Sequence, residues 1–425
     1  MERFAQGFGR RARRALHPRS ILLTLFCLLL LWPIGCSQNL AGHSAPPGTP
    51  TIRVLLLENQ HEVNVSATAS PTVHVGPQSP GQQLRFPPGT AVPIALTATG
   101  WQVGTARLGL GEMLLEPSVD GSVRIGTHAY HGRYRLVPVA PDKFNVINEL
   151  DLEGYLQGVL RSELFPNWHD EAYKAQAIVA RTYALYEART DGKGRSFDVY
   201  ADQRSQVYGG IDAETPRSRE ATEATSGIVV AYGPPGHETI FKSYFSSCCG
   251  GVAQSAADAF GDPESPPLSE QKRGPVCTES PKFNWGPIKI PKAELTRRMR
   301  AWGTWKKQPL KDIGTVTLLE IQTTSQFGRP TRFLITDARG YRYSIRAEDL
   351  REAVNTDAGP NGIKIFSSYF KPQDAGSDIA FADGHGYGHG VGLCQWCAEH
   401  QATQGWNDEA IVLTAFPGAK LVRAY

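Results

Sequence analysis

The sequence predicts an α+β fold, a mixed architecture in which a β-rich N-terminal region precedes a core of helices and sheets. Three observations carry this. Short segments of alternating polarity, separated by turn residues, fill residues 51–147. Two stretches with the 3.6-residue period of a helix follow and are broken at Pro166. Strand-like and helix-like stretches then mix without βαβα alternation, which argues against a doubly wound sheet. The 425-residue chain is long enough to bury a sizeable core.

The first element, residues 1–36, reads as a leader. Arg3, Arg10, Arg11, Arg13, Arg14 and Arg19 stand against Glu2, a local +5, so the rest of the chain carries about −2 of the formal net charge of +3. The body has no excess of positive charge for a polyanion, so no nucleic-acid partner is expected. The basic head precedes the apolar run Ile21 to Gly35, of signal-peptide length. The run closes on "PIGC" at Cys36, which resembles a lipoprotein box with Pro33 where that box usually has Leu. Lipidation at Cys36 is the favoured expectation, with plain secretion or an uncleaved membrane anchor as alternatives. Residues 37–50 form a Pro/Gly/Ser linker.

Residues 51–147 contain "TIRVLLL", "VNVSATA", "TVHVG", "AVPIALTA", "GSVRIG" and "YRLVPVA", each a strand candidate. In the second helical stretch after them, Asp170 and Glu171 sit where a helix dipole favours anions. Ala175, Ile178, Val179, Thr182, Leu185 and Tyr186 should face the core. Lys174 and Arg181, seven apart, share another face, either solvated or functional. A helix is expected near Ser218–Thr225. "GIVVAY" and "TIFKSYFSS" read as a strand pair, and residues 255–285 as a long loop carrying Cys277. Three strands with turns at Gly328 and Gly340 come next, then a short helix "RAEDLREAV" and two terminal helices. Gly405 is a stop signal between those two, and Asn407 a cap.

The run "GHGYGHGVGLCQWCAEH", residues 384–400, offers several chemistries. Val391 occupies the third glycine position of a dinucleotide loop, and the Lys-Ser/Thr of a P-loop is missing. Five glycines in nine residues disfavour a helix. In an extended chain His385 and His389 would stand roughly 13 Å apart, too far for one ion. That geometry puts His385, Tyr387 and His389 on one side and bare backbone on the other. Something should approach that backbone closely, either another strand or a ligand such as a sugar.

The body holds five cysteines: Cys248, Cys249, Cys277, Cys394 and Cys397. In an exported protein, two disulfides and a free thiol are one reading, and a metal held by four thiolates is the other. Either staples a long loop to the last helices. Cys394 as a nucleophile is a third possibility, with no acid or base specified by spacing.

The segments "LDLEGYLQGVLRSELFPNWHDEAYKAQAIVARTYAL", "SQVYGG", "YFSSCCGG" and "GHGYGHGVGLCQWCAEHQATQG…FPG" occur in that order. Together they resemble the SpoIID/LytB family of stage II sporulation protein D and amidase enhancers. "TIRVLLL" and "FNVINELDLEGYL" resemble it too, so the resemblance covers most of residues 51–425, with 148–425 as its core. It implies a peptidoglycan lytic transglycosylase that cleaves the MurNAc–GlcNAc β-1,4 bond of glycan strands stripped of peptide by a partner amidase. It places the catalytic glutamate at Glu163 and brings Lys174 and Arg181 to the cleft. The candidate glycan-binding residues are Lys174, Arg181, Tyr208, Ser246, Ser247, Gly250, His385, Tyr387, His389 and Gln395. The zinc ligands that some sporulation members carry before "QVY" are missing, with Tyr200 and Ser205 in that segment, so no metal site is carried over and no cofactor is expected beyond a structural metal at the cysteines.

The chemistry agrees. Glycoside cleavage needs an acid to protonate the leaving oxygen. A lytic transglycosylase manages with one carboxyl, because the sugar's own C6 hydroxyl attacks and forms a 1,6-anhydro end. Leu160, Leu164, Phe165 and Trp168 around Glu163 should raise its pKa. Tyr208, Tyr387 and Trp396 are candidate sugar-stacking surfaces. A non-catalytic glycan-binding module that enhances an amidase is the rival reading.

Overall fold

The computed structural model describes residues 48–76, 81–119 and 121–425. The leader, Cys36 and most of the linker lie outside them. No described helix is long and apolar enough to cross a membrane. The architecture is α+β, as the sequence predicts.

Two antiparallel-rich sheets form the N-terminal part. The larger runs, by strand, Val199–Tyr200, Thr51–Gln60, Lys143–Asp151, Arg133–Ala140, Met113–Glu116, Thr72–Val75 and Gln82–Gln83. The smaller is built from residues 62–67, 92–97, 100–103, 106–107, 123–125 and 128–130. Their inward side chains, among them Val54, Val65, Ile94, Trp101, Met113, Tyr134 and Phe144, make one apolar core. Alternation breaks where Val54 and Leu55 are both buried, next to a register shift between Leu55 and Leu57, as a bulge requires. The core continues into Tyr155, Leu156, Ala180 and Ala184 of the helices that follow. Strand Lys143–Asp151 runs through residue 147 without a break.

Asp151 ends that strand and starts a helix: its side chain accepts from the Gly154 N–H at 2.8 Å, a cap that satisfies one of the helix's orphan donors. Helix α1 (Leu152–Glu163) stops at extended Leu164, two residues before Pro166. Helix α2 (Asp170–Arg189) begins with Asp170 and Glu171 in its first turn. It is buried nearly all round: Ala172, Ala175, Ala177, Val179, Ala180 and Ala184 are each within 1 % of full burial. Such a helix is a central one, and α2 packs on α1, on α3 (Pro216–Ala224) and on both terminal helices. Its small residues permit those close approaches.

Beyond α3, strand Ile228–Tyr232 pairs with Thr239–Ile240 and with Lys420–Arg423 near the C-terminus. The expected partner run extends no further, because Phe245–Ser246 pairs in parallel with Leu393–Cys394 instead. Helix α4 (Ala256–Phe260) lies within the expected loop. Helix α5 (Lys292–Lys306) was hidden among basic residues, yet Leu295, Met299 and Trp302 recur at helical spacing and are buried. With α6 (Ala347–Asn355) and the sheet of residues 316–324, 330–337 and 342–346, α5 encloses a second core around Phe333, Phe370 and Phe381. Helices α7 (Gln395–Thr403) and α8 (Asp408–Ala415) close the chain, α8 capped by the Asn407 side chain on the Ala410 N–H.

Candidate active site

Glu163 occupies the last turn of α1, and three features define its setting. Gly158, one turn earlier, leaves no Cβ against the Tyr208 ring, which a Cβ would approach to 2.7 Å. The segment Gln206–Gly210 can therefore lie on α1. Tyr155 holds it by donating to Gln206 Oε1 at 3.0 Å, and the Gly209 N–H donates to the Gly158 carbonyl at 3.2 Å. The result aims the Val207 N–H at Glu163 Oε1, 2.8 Å away.

From the far end of the chain, the Gln395 amide faces the same carboxyl. Its buried Nε2 has no other hydrogen-bond partner among the described residues, which leaves this donor to the acid alone. Burial pushes the Glu163 pKa up, while the Val207 N–H and the Gln395 amide hold it back. The C-terminal end of a helix also disfavours a negative charge. A carboxyl in this state keeps part of its population protonated at higher pH than an ordinary glutamate.

An aromatic group forms from residues close in the chain to Glu163 and Gln395. The Trp168 and Trp396 rings meet edge to face at 5.0 Å, and Phe165 lies 5.3 and 5.8 Å from them. Leu160, Leu164 and Trp168 are buried, but Phe165 is 51 % exposed. An exposed ring two residues from an acid is a signal that the sequence carried as "ELF" and that burial alone would not explain. His169 ties the start of α2 to α7: its backbone N–H and Nδ1 meet the two Glu399 oxygens at 2.9 and 2.8 Å.

Several predicted contacts lie elsewhere. Arg181 is fully buried, its guanidinium on the Glu153 carboxylate at 2.7 and 3.0 Å. Burial opposes ionisation of Glu153, but the Arg181 charge and hydrogen bonds hold its pKa below the usual range. This pair is a core strut, because the helix face assigned to solvent or ligand is enclosed by neighbouring helices. Lys174 donates to Glu171 at 2.7 Å, and Glu171 also accepts the Asp408 N–H that opens α8. Its charge is therefore committed to helix packing. Tyr208 is packed against Tyr130 and Tyr155, and its hydroxyl donates to Asn148, so it offers no face to a sugar.

The glycine run is not one extended strand. Gly386, Gly388, Gly390 and Gly392 all have positive φ, so the chain turns at each and the three expected neighbours diverge. His385 bonds Asn284 Oδ1 through Nδ1 at 2.8 Å. It lines a concavity of about 400 Å³ with Trp285, Lys371 and Asp383, and neither Glu163 nor Gln395 contributes to that lining. Tyr387 is 44 % exposed and rests on Phe366. His389 turns inward between Tyr244 and Phe260, its Nδ1 accepting from the Val391 N–H at 3.0 Å.

The bare backbone meets protein. A Cβ on Gly386 would come within 2.5 Å of the Cys248 carbonyl, and one on Gly390 would strike the Arg329 guanidinium. Gly250 packs on His385 in the same way, the Ser246 hydroxyl accepts from the Gly390 N–H, and the Ser247 carbonyl accepts from the Trp396 N–H. Ser246, Ser247 and Gly250 thus bind the glycine run and α7 to each other. Cys394 is 1 % exposed, which removes the access a nucleophile needs.

The sequence profile of the Stage II sporulation protein family, SpoIID, matches residues 140–232, the stretch that carries α1, Glu163, α2 and Val207. An uncharacterized protein of Brachyspira hyodysenteriae is 30 % identical over 269 residues, 63 % of this chain and 66 % of its own. The amidase enhancer of Bacillus subtilis is 24 % identical over 305 residues, 63 % of this chain but 40 % of the enhancer. Stage II sporulation protein D of the same organism is 24 % identical over 302 residues, 68 % of this chain and 79 % of its own. The chain thus spans less than two thirds of the length of the first two of these relatives. The matched profile and these relatives together place the chain in the SpoIID family.

Proposed function

We infer that the chain is an exported, envelope-bound lytic transglycosylase of peptidoglycan, acting on glycan strands stripped of peptide. Its acid is Glu163. The protonated carboxyl gives its proton to the glycosidic oxygen of the MurNAc–GlcNAc β-1,4 bond as that bond breaks. The MurNAc C6 hydroxyl closes on C1, and the carboxylate takes the hydroxyl proton, which restores the acid and leaves a 1,6-anhydro end. The supporting observation is a carboxyl with a raised pKa, held from one side by the Val207 N–H and faced by the Gln395 amide, whose Nε2 has no other hydrogen-bond partner among the described residues. Exposed Phe165, with Trp396 beside it, supplies an apolar face on which a sugar ring can lie.

The relative named as an amidase enhancer favours a second reading, a glycan-binding module that assists a cell-wall amidase without cutting. One experiment separates them. Peptide-stripped glycan digested by the wild type should show 1,6-anhydroMurNAc ends by mass spectrometry, and digestion by Glu163→Gln should show none. Ends made equally by the variant would remove Glu163 as the acid. Binding by both proteins with no ends from either would leave the enhancer reading.

A further inference from the structure

Outside the glutamate site, one side-chain cluster has no role in the chemistry above. Cys249, Cys277, Cys394 and Cys397 come from three separate segments, are all buried, and bring their sulfurs within 4.8 Å of one another. The Cys249 sulfur lies 3.7 Å from that of Cys277 and 3.9 Å from that of Cys397. A tetrahedral ion with metal–sulfur bonds of about 2.3 Å sets its ligands about 3.8 Å apart. Two disulfides would draw the sulfurs into pairs and give four of them no reason to converge on one point.

The surroundings suit thiolates. The Cys249 N–H donates to the Cys394 sulfur at 3.3 Å. Arg329 is buried beneath the cluster and donates to the carbonyls of Cys249 and Val252 at 3.1 and 2.8 Å. A fixed cation there offsets part of the charge of a four-thiolate complex. Cys394 and Cys397 stand at the cap and third residue of α7, where backbone N–H groups favour anionic sulfur.

We propose that Cys249, Cys277, Cys394 and Cys397 bind one zinc ion as a closed, structural four-thiolate site. Four thiols lose four protons as four metal–sulfur bonds form, which leaves a complex of charge −2 with no position for water or substrate. The fifth cysteine, Cys248, has its sulfur 3.5 Å from that of Cys277 but outside the mutually close set, and it is the spare thiol. The ion joins the long loop and the "CCGG" segment to the start of α7. The residue after Cys394 is Gln395, so the same ion positions the amide that faces Glu163. The site stands whether or not the chain cuts glycan.

The full chain, purified from zinc-supplemented cells and analysed for metals, should contain one zinc per molecule. Replacement by cobalt should give the intense visible bands of a tetrahedral thiolate centre, a readout that needs no variant. Cys397→Ser should lose most of the zinc, while Cys248→Ser should keep one equivalent. Iron or no metal in the wild type, a disulfide between any two of the four residues on non-reducing mass mapping, or equal zinc loss from Cys248→Ser would overturn the proposal.

Discussion

The backbone N–H of Val207 donates to Oε1 of Glu163 at 2.8 Å, which joins the end of α1 to a loop more than forty residues on. The bond fixes one carboxyl oxygen and leaves the other for a proton. Exchange of Glu163 for Gln keeps an oxygen that can accept from Val207, so the fold should survive while the acid is lost. Glycan cleavage is expected to fall by about 10²–10⁴-fold, measured as anhydro ends released per unit time.

The same substitution should have a pH signature in stability. A carboxyl whose folded pKa is raised binds its proton more tightly in the folded state. Its contribution is most favourable at low pH and declines as pH rises from the unfolded value, about 4.3, through the folded one. Glu163→Gln removes that decline. Urea unfolding should find the variant equal to the wild type near pH 4 and more stable at pH 7, so a variant less stable at pH 7 would contradict the burial argument.

Arg181 and Glu153 are both fully enclosed, with side-chain exposures of 0 and 2 %. Removal of one charge strands the other. Arg181→Met should cost about 3–5 kcal/mol in urea unfolding, and adding Glu153→Gln should recover part of it. A change below about 1 kcal/mol would return Arg181 to the status of an ordinary surface cation.

His389 is neutral at physiological pH. Burial pushes its pKa down to about 4, with the Arg351 and Arg329 charges acting in the same direction against Glu348. A depressed histidine stabilises fully above the unfolded value near 6.5 and loses that contribution as pH falls towards 4. The loss is on the order of 3 kcal/mol. His389→Phe, which keeps the ring between Tyr244 and Phe260, should unfold with a flatter dependence between pH 6.5 and 4.

Gly390 has φ +74 and would drive a Cβ into Arg329. Gly390→Ala should destabilise by roughly 2 kcal/mol or more, from left-handed backbone cost plus displacement of a buried cation. Gly328, also at positive φ, has open space around it, and its alanine variant should cost only about 1 kcal/mol. Thermal melts of the two, side by side, separate conformation from crowding.

The sequence made the architecture legible where one local signal decided it. Pro166 ended α1, Asn407 capped α8, and glycines at 328 and 340 marked the turns between strands. Apolar neighbours also foretold the upward push on Glu163. The fates of Lys174 and Arg181 were not legible, because helical spacing says which residues share a face and not what covers it. The glycine run misled for a related reason. Alternate glycines suggested a flat strand, whereas positive φ at Gly386, Gly388, Gly390 and Gly392 makes a series of turns that only Gly holds without strain, the first two against the Ser246–Gly250 segment. Val207 contributes through its N–H, which no side-chain pattern reports.

The parallel pairing of Phe245–Ser246 with Leu393–Cys394 has a consequence for the timing of assembly. Glu163 leaves the ribosome with α2 and the Val207 loop close behind it. The amide that faces it and the strand that seats that amide arrive some 230 residues later. Closing so long a loop is slow compared with forming a helix. The acid therefore stays incomplete until more than two hundred further residues have been made.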